Sequence, residues 1–532
     1  MQPGSPLHPG TGREPSLSQA LMRAVRLHGP ATAIVDGAHR LSWAQLGERA
    51  GRLAGALQAL GMQPGDRVAM LSDNSHRYLT WYFGVPWGGG IFTPLNFRLA
   101  VPELVAILRD SGARLLIVDD THLETAVELA RQCPLAHLIH AGEGPAPPGL
   151  LSFESLIAEA TAVADAGRAG DQIAALFYTS GSTGRPKGVM HTHANLIASA
   201  VAYAAAIGLS EESVALISGP LFHVGAAGLC IPVLVSGGSI VLAPRFEPAQ
   251  VLRLIEAERA TVMSLVPTML RMLVDHPSAG MRDLSSLRTL LYGAAPMPEP
   301  LVAQARALLA NTAFTHCYGM TESTASVSVL PSRYVMPSHR HLGKWASAGR
   351  AILGTDLAVV DSQDRVLPAG DIGEIVVRGP LVMRGYWNQP ELTAQTLRNG
   401  WLHTGDLGSM DTDGFVTIID RLKDMIITGG ENVYCTEVEA AIHAFPGVAQ
   451  CAVIGIPHPS WGEAVHAVVS PSPGAQLRAD DIIAHCRRLI AGYKCPRTVE
   501  VRHDALPLSG ANKIDKPALR APFWKGHGSR LV

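Results

Sequence analysis

The sequence predicts an α/β protein: a large N-terminal domain of mostly parallel sheets under helical cover with a β-rich subdomain, followed by a small C-terminal α+β domain. Three observations predict this. Short apolar strands alternate with helical periodicity through the first 350 or so residues, as in parallel sheets covered by helices. After about Leu357 the text turns strand-rich (DLAVVDSQDRVLPAGDIGEIVVRG), with Asp-Gly and Pro-Ala-Gly turns. A fresh βα rhythm then begins after DRLKDMIITGG. A chain of 532 residues exceeds one hydrophobic core. The expected division is 1–419, a linker at 420–423, and 424–532.

The elements follow in chain order. The opening MQPGSPLHPGTGREPS has no basic patch followed by an apolar run, so it reads as a flexible leader rather than a signal peptide. Ser42 opens a helix: SWAQ is a Ser-x-x-Gln capping box, and Leu46, Ala50, Leu53, Leu57 and Leu60 recur at helical spacing before Gly61. The turn Pro64-Gly65-Asp66 feeds a strand at 68–71. VPELVAILRDSG reads as a helix and ARLLIVDD as the next strand. AALFYTS is strand-like, and a helix is expected to start near Ala194. GGSIVLAP, ATVMSLVP and LRTLLYGAAP are further buried strands between helical stretches. The longest apolar run, 224–235, is too short to span a bilayer and contains Gly225, Gly228 and Pro232. In the C-terminal part CTEVEAAIHAF reads as a helix, CAVIGIP as a strand and RADDIIAHCRRLI as a helix. No repeat with a period of about 20–50 residues is present.

Composition narrows the function classes. Lys plus Arg total 43 against 45 Asp plus Glu, which removes the electrostatic case for nucleic acid or an anionic membrane as main partner. Hydrophobic content of 47% with 17% charged residues supports a large core and argues against disorder. The seven cysteines form no CxxC pair and are odd in number, which suits reduced thiols and a cytoplasmic location.

The segment YTSGSTGRPKGVMHTH, 178–193, is chemically a phosphate cradle. Its glycines let backbone N–H groups turn toward an anion, its hydroxyls add donors and Lys187 adds a mobile positive charge. It is not a Walker A loop: Pro186 stands five positions after Gly181, and Lys187 is followed by Gly188. A Gly/Ser surface turn is the bland alternative for SGSTG alone.

The whole pattern resembles the phosphate loop of the adenylate-forming superfamily, the acyl-CoA synthetases, luciferases and amino-acid adenylation domains. YGMTE (318–322), GEIVVRG (373–379), HTGDLG (403–408), DRLKDMIITGGENVY (420–434) and PLSGANKIDK (507–516) match that family in order. The resemblance implies ATP, Mg²⁺ and coenzyme A as cofactor and co-substrates, with Thr179, Ser180, Gly181, Ser182, Thr183, Gly184 and Lys187 around the phosphates. It implies Thr321 on the α-phosphate, Glu322 as the Mg²⁺ ligand and Tyr318 stacked on adenine. Gly293, Ala294 and Ala295 with Gly319 would wall adenine and acyl group, small residues letting a flat base approach the backbone. Asp406 would accept from the ribose hydroxyls, assisted by Arg421. Lys513 would be the catalytic lysine, although Asn512 stands where relatives have glycine, and Lys516 is the fallback. Asparagine tolerates the left-handed conformation best among non-glycine residues. Cys435 replaces a proline common in relatives and is expected to loosen the turn before its helix slightly.

The acyl group is read from PLFHVGAAGLC, 220–230. Amino-acid-adenylating relatives place an aspartate just after this phenylalanine to pair with the substrate ammonium. Here His223 follows Phe222, and a buried ammonium without a carboxylate partner would be costly. The expected acid is therefore fatty or aryl, without an α-amino group, held by His223, Val224, Gly225, Gly293 and Gly319. Tight helix packing is the alternative role for the small residues 225–228. The resemblance places the pantetheine passage at Gly429 and Gly430 with Trp461 near it, packing being the alternative for the indole, and makes the small domain mobile about Lys423. The leading reading is an acid–CoA ligase. An acyl-AMP ligase serving a carrier-protein thiol and a non-catalytic acyl-nucleotide sensor stay open, as does a homodimer.

Overall fold

The computed structural model describes residues 14–179, 186–294, 297, 299–508 and 513–525. They divide into two compact units, the first comprising the described residues of 1–345 with 351–356 and 378–402.

Two sheets organise the first unit. In the larger, the strands Ala313–Tyr318, Thr289–Gly293, Val262–Leu265, Val214–Ile217, Ser239–Leu242 and Thr32–Asp36 lie side by side, all parallel. In the other, Ile173–Thr179, Ile91–Pro94, Arg67–Leu71, Leu115–Val118 and His137–His140 form the parallel run. The innermost of these strands read as apolar runs because both their faces are buried, as at every residue of Ile91–Pro94 and Leu115–Val118.

The helix Trp43–Ala59 starts as its sequence predicts. Gln45 N–H donates to Ser42 Oγ at 3.2 Å while Gln45 Oε1 accepts from Ser42 N–H at 2.8 Å. Leu46, Ala50, Leu53 and Leu57 are buried on one face, and each leucine so buried stabilises the fold by roughly 1.5–3 kcal/mol. The expected helix near Ala194 is His193–Ile207, but a strand, Lys187–Thr192, precedes it. This strand pairs antiparallel with Ile173–Thr179, so the glycine-rich segment joins two strands of a hairpin. Local sequence hides it because Gly188 and the two polar residues His191 and Thr192 dilute the apolar pattern; pairing to the neighbouring strand decides.

The second unit comprises 346–350, 357–377 and the described residues from 403 onward. Its β-rich part includes Val416–Arg421, paired antiparallel with residues 406–410. Its C-terminal part is a sheet of Glu431–Val433, Ile426–Thr428, Gly462–Pro471 and Val448–His458, with Thr498–Val501 added parallel to Gly462–Pro471. The helices Cys435–His443 and Ala479–Cys486 pack Val438, Ile442 and Ile482 onto Val453, Val465 and Val469 of that sheet. The 420–423 linker lies inside this unit, and the domain boundary drawn there is a proposal. Among the described residues no helix is long and apolar enough to cross a membrane, and all seven cysteines are free thiols.

Candidate active site

The hairpin brings Thr179 and Lys187 opposite one another at the end where its two strands are connected. Ser180, Gly181, Ser182, Thr183 and Gly184, together with Ala295, lie outside the described residues. Lys187 Nζ stands 5.2 Å from the centre of the Tyr386 ring, a cation–π distance. Gly188 is required beside it: a Cβ there would sit 2.9 Å from the Tyr178 ring and 3.2 Å from Trp387. Tyr178 O–H and Trp387 Nε1–H both donate to Asp110, at 2.6 and 3.0 Å, which fixes the base of the hairpin.

Tyr318 ends its parallel strand, and Thr321–Ser323 follow as one 3₁₀ turn. Glu322 is 8% exposed; its Oε1 accepts from Tyr386 O–H at 2.8 Å and its carbonyl accepts from Met383 N–H at 2.8 Å. Burial, then the Glu322 charge, push the Tyr386 phenol well up, so it remains a donor. Lys187, Tyr386 and Glu322 therefore form one chain of contacts. A buried carboxylate with one oxygen held by a hydroxyl suits a hard cation completing its shell with phosphate oxygens.

Backbone strain gathers here. Ala294, Thr324 and Ala325 have φ of 66°, 52° and 86°, a region costing non-glycine residues about 1–2 kcal/mol each. Thr324 is held by His191 on the Lys187–Thr192 strand, by Leu381 and by Ser199. Burial pushes His191 down to about 3 against the pull of the Thr321 carbonyl, so the ring is neutral. Glycines 293 and 319 have a nearer cause than room for a base: Cβ atoms there would run into the carbonyl oxygens of Cys317 and Ala325.

His223 occupies the N-cap position of the helix Val224–Ser236, tilted against Phe222 at 4.5 Å. Buried Asn74 positions this loop: its amide donates to the carbonyls of Gly219 and Ala243 at 2.8 and 3.0 Å and accepts from Leu221 N–H at 2.8 Å. The small residues divide between the two roles weighed for them. A Cβ on Gly225 would meet nothing within 4 Å, whereas one on Gly228 would come within 2.5 Å of Ala325 Cβ. Under this helix Phe177, Leu196, Ala200, Ala227, Ile231 and Pro232 line a small, largely apolar cavity.

The second unit gathers its own set. Asp406 and Arg421 face each other across paired strands, Nε to Oδ1 3.2 Å. Half-buried Lys513 lies in their field: burial, then the positive charge of Arg421, lower its pKa to about 8, with Asp406 opposing. Lys516, the fallback, is committed to Glu439 at 2.8 Å. Lys423 is exposed in the turn after Val416–Arg421. Cys435 is buried, its Sγ 3.0 Å from the Asp424 carbonyl and its N–H bonded to Asp420, so the thiol ties the turn down rather than loosening it. Gly429 and Gly430 form the two-residue loop of a hairpin with φ of 60° and 87°, which side-chain-bearing residues rarely adopt. Gly429 N–H donates to the Trp461 carbonyl at 2.9 Å. The indole is 38% exposed, stacked on His458 at 4.0 Å, with the Arg497 guanidinium 4.6 Å from its centre.

Tyr386, His191 and Asn74 went unread in the sequence. Each acts on a residue at least 64 positions away, so no local spacing reveals it.

The AMP-binding enzyme family model matches residues 21–387, and that of the AMP-binding enzyme C-terminal domain matches 437–513. A feruloyl-CoA synthase of Amycolatopsis is 43% identical, over 96% of this chain and 100% of its own. A medium/long-chain-fatty-acid–CoA ligase of Mycobacterium tuberculosis is 36% identical, over 96% of this chain and 90% of its own. The crystal structure of ATP-bound MatB from Rhodopseudomonas palustris is similar with a TM-score of 0.85 and 32% identity, covering 96% of this chain and 99% of that one.

Proposed function

The chain belongs to the AMP-binding enzyme family, and on that premise we propose that it activates a fatty or aryl carboxylic acid lacking an α-amino group as its acyl adenylate and passes the acyl group to coenzyme A. It is an AMP-forming acid–thiol ligase, and ATP and CoA are its co-substrates. A carrier-protein thiol is the weaker acceptor.

A carboxylate is a poor acyl donor because oxide would have to leave. Attack of its oxygen on the α-phosphorus of ATP forms a P–O bond, breaks the bond to pyrophosphate and gives a mixed anhydride. The CoA sulfur, as thiolate, then attacks the carbonyl and AMP leaves with the C–O electron pair. Negative charge builds on the α-phosphate and pyrophosphate in the first step, and preorganised cations and N–H donors offset it. Lys187, Thr321 and Lys513 are proposed to do this, with Tyr318, Ala294 and Gly293 around adenine and with Asp406, oriented by Arg421, accepting from the ribose. Glu322 fits a Mg²⁺ ion, which when bound would neutralise phosphate charge. Lys423 is the proposed hinge residue, and Gly429, Gly430 and Trp461 the proposed CoA contacts. His223 and Val224 with the open space at Gly225 receive the acid, and no acidic side chain lies in 224–241 to pair with an ammonium. Seven unbridged thiols support a reducing, cytoplasmic setting.

The observation that carries this reading is the contact chain Lys187–Tyr386–Glu322, which joins two separately nominated phosphate and metal residues. The test is an acid panel scored for pyrophosphate release and CoA-dependent AMP production, with Lys187→Ala and Glu322→Ala beside wild type. Each substitution is expected to cost about 10²–10³ in rate. Wild-type pyrophosphate release by both variants refutes the nucleotide site. An α-amino acid outperforming its deaminated analogue refutes the acid class.

A further inference from the structure

Thr324 is a β-branched residue in left-handed backbone, immediately after the turn that carries Thr321 and Glu322. Such a residue persists only where its surroundings over-determine it. Its hydroxyl has one proton, and the Leu381 carbonyl at 2.6 Å takes it. The 3.0 Å contact with His191 Nδ1 must then run the other way, Nδ1–H donating to Oγ1. This fixes the tautomer. The proton is on Nδ1, and the Nε2 lone pair is buried without a hydrogen-bond partner among the described residues.

That orphaned nitrogen separates a positioning role from ordinary core packing. His191 is fully buried, edge-on to Phe177 at 5.6 Å. A leucine would fill much of the same space without burying an unpaired polar atom, so by burial alone imidazole is the worse choice. What it adds is the Nδ1–H donor. We infer that His191 is a positioning residue for adenylation, holding Thr324 and through it the Thr321–Ser323 turn in the geometry that presents Thr321 to phosphate and Glu322 to the metal. The inference rests on the reading of Thr321 and Glu322 given above. Three elements meet on Thr324: the strand leaving the phosphate loop through His191, the helix His193–Ile207 through Ser199 O–H at 2.7 Å, and the segment before Tyr386 through Leu381. The strand Lys187–Thr192 and the residue that follows the Thr321–Ser323 turn are thereby joined through the Thr324 hydroxyl.

The experiment uses full-length wild type, His191→Leu, His191→Asn, Thr324→Val and the double variant His191→Leu/Thr324→Val. Pyrophosphate release is measured against Mg²⁺ concentration, and melting temperature in parallel. His191→Leu is expected to lose about 10²-fold in rate, as misplacing a reacting group by about an ångström does. It should also need more Mg²⁺ for half-maximal rate, with a melting temperature no lower than wild type. Asparagine, whose amide reaches the Nδ1 position, should recover most of the loss. Thr324→Val, which also removes the bond to the Leu381 carbonyl, should cost at least as much as His191→Leu, and the double variant no more than Thr324→Val alone, because the His191–Thr324 bond is common to both. Folded His191→Leu with wild-type rate and Mg²⁺ dependence overturns the inference, as does asparagine no better than leucine, or losses that multiply in the double variant. If His191→Leu does not fold, Thr324→Val decides on the same criteria. Glu322→Gln separates the two levels: wild-type Mg²⁺ dependence there overturns the metal reading itself, whereas its loss beside an unaffected His191→Leu overturns this inference alone.

Discussion

Replacing Tyr386 by phenylalanine removes one oxygen and leaves the ring. The ring keeps its place near Lys187, 5.2 Å from Nζ, so the cation–π contact survives and the variant isolates the bond to Glu322. That bond is 2.8 Å long, is donated to a carboxylate and is buried, Glu322 being 8% exposed. Hydrogen bonds to charged groups contribute roughly 1.5–3 kcal/mol, and little water reaches this carboxylate to replace the donor. If the contribution is realised in the transition state, at about 1.4 kcal/mol per decade of rate, adenylation falls roughly 10- to 150-fold. The Mg²⁺ concentration for half-maximal rate should shift too, because the freed carboxylate loses its fixed orientation. The assay is pyrophosphate release against Mg²⁺, set beside conversion of supplied acyl-AMP to acyl-CoA. The second reaction releases no pyrophosphate and should keep its rate within a few-fold. Unchanged rate and Mg²⁺ dependence in folded Tyr386→Phe would refute the reasoning, and so would equal loss of both half-reactions.

Three further outcomes are expected. In the role proposed for it Lys513 would offset phosphate charge only when protonated, and its pKa is lowered to about 8, so kcat/KM for ATP in adenylation should fall as pH rises through about 8 while Lys513→Ala stays flat there; a flat wild-type profile counts against the assignment. Trp461→Ala should raise KM for CoA and leave pyrophosphate release in the first half-reaction unchanged, measured by coupled assay of each step; an unchanged KM would leave the indole as packing against His458 and Arg497. Burial raises the Glu154 pKa, but a hydrogen bond to His76 and the charges of Arg49 and Arg77 win and hold it at about 2. A depressed carboxylate stabilises the fold above its ordinary value near 4.5 and loses that contribution as pH falls toward 2. Acid unfolding of Glu154→Gln, followed by circular dichroism, should therefore show a shallower slope between those values than wild type, other depressed carboxylates such as Asp36 and Glu143 keeping theirs; identical curves would exclude the contribution.

The sequence by itself determined whatever depends on near neighbours. The capping box at Ser42 and the apolar stripe from Leu46 to Leu57 specify their helix from residues three and four apart. The apolar runs at 115–118, 262–265 and 289–293 announce buried parallel strands. The glycine-rich segment, the Thr-Glu pair and Asp406 stood out in the sequence through the resemblance of their motifs to the family, and the phosphate, metal and ribose roles proposed for them rest on it. Tertiary structure alone decided the rest. Lys187–Thr192 became a strand because Ile173–Thr179 offered a partner edge. Of two lysines three positions apart, Lys516 was neutralised by Glu439 and Lys513 left in the field of Arg421, a choice set by side chains far away in the chain. Tyr386 reaches Glu322 across 64 residues and His191 reaches Thr324 across 133. Periodicity records which face of an element is buried; it carries no record of which distant polar atom that face will meet, because a hydrogen bond is fixed by positions within a few tenths of an ångström that only the packed chain supplies.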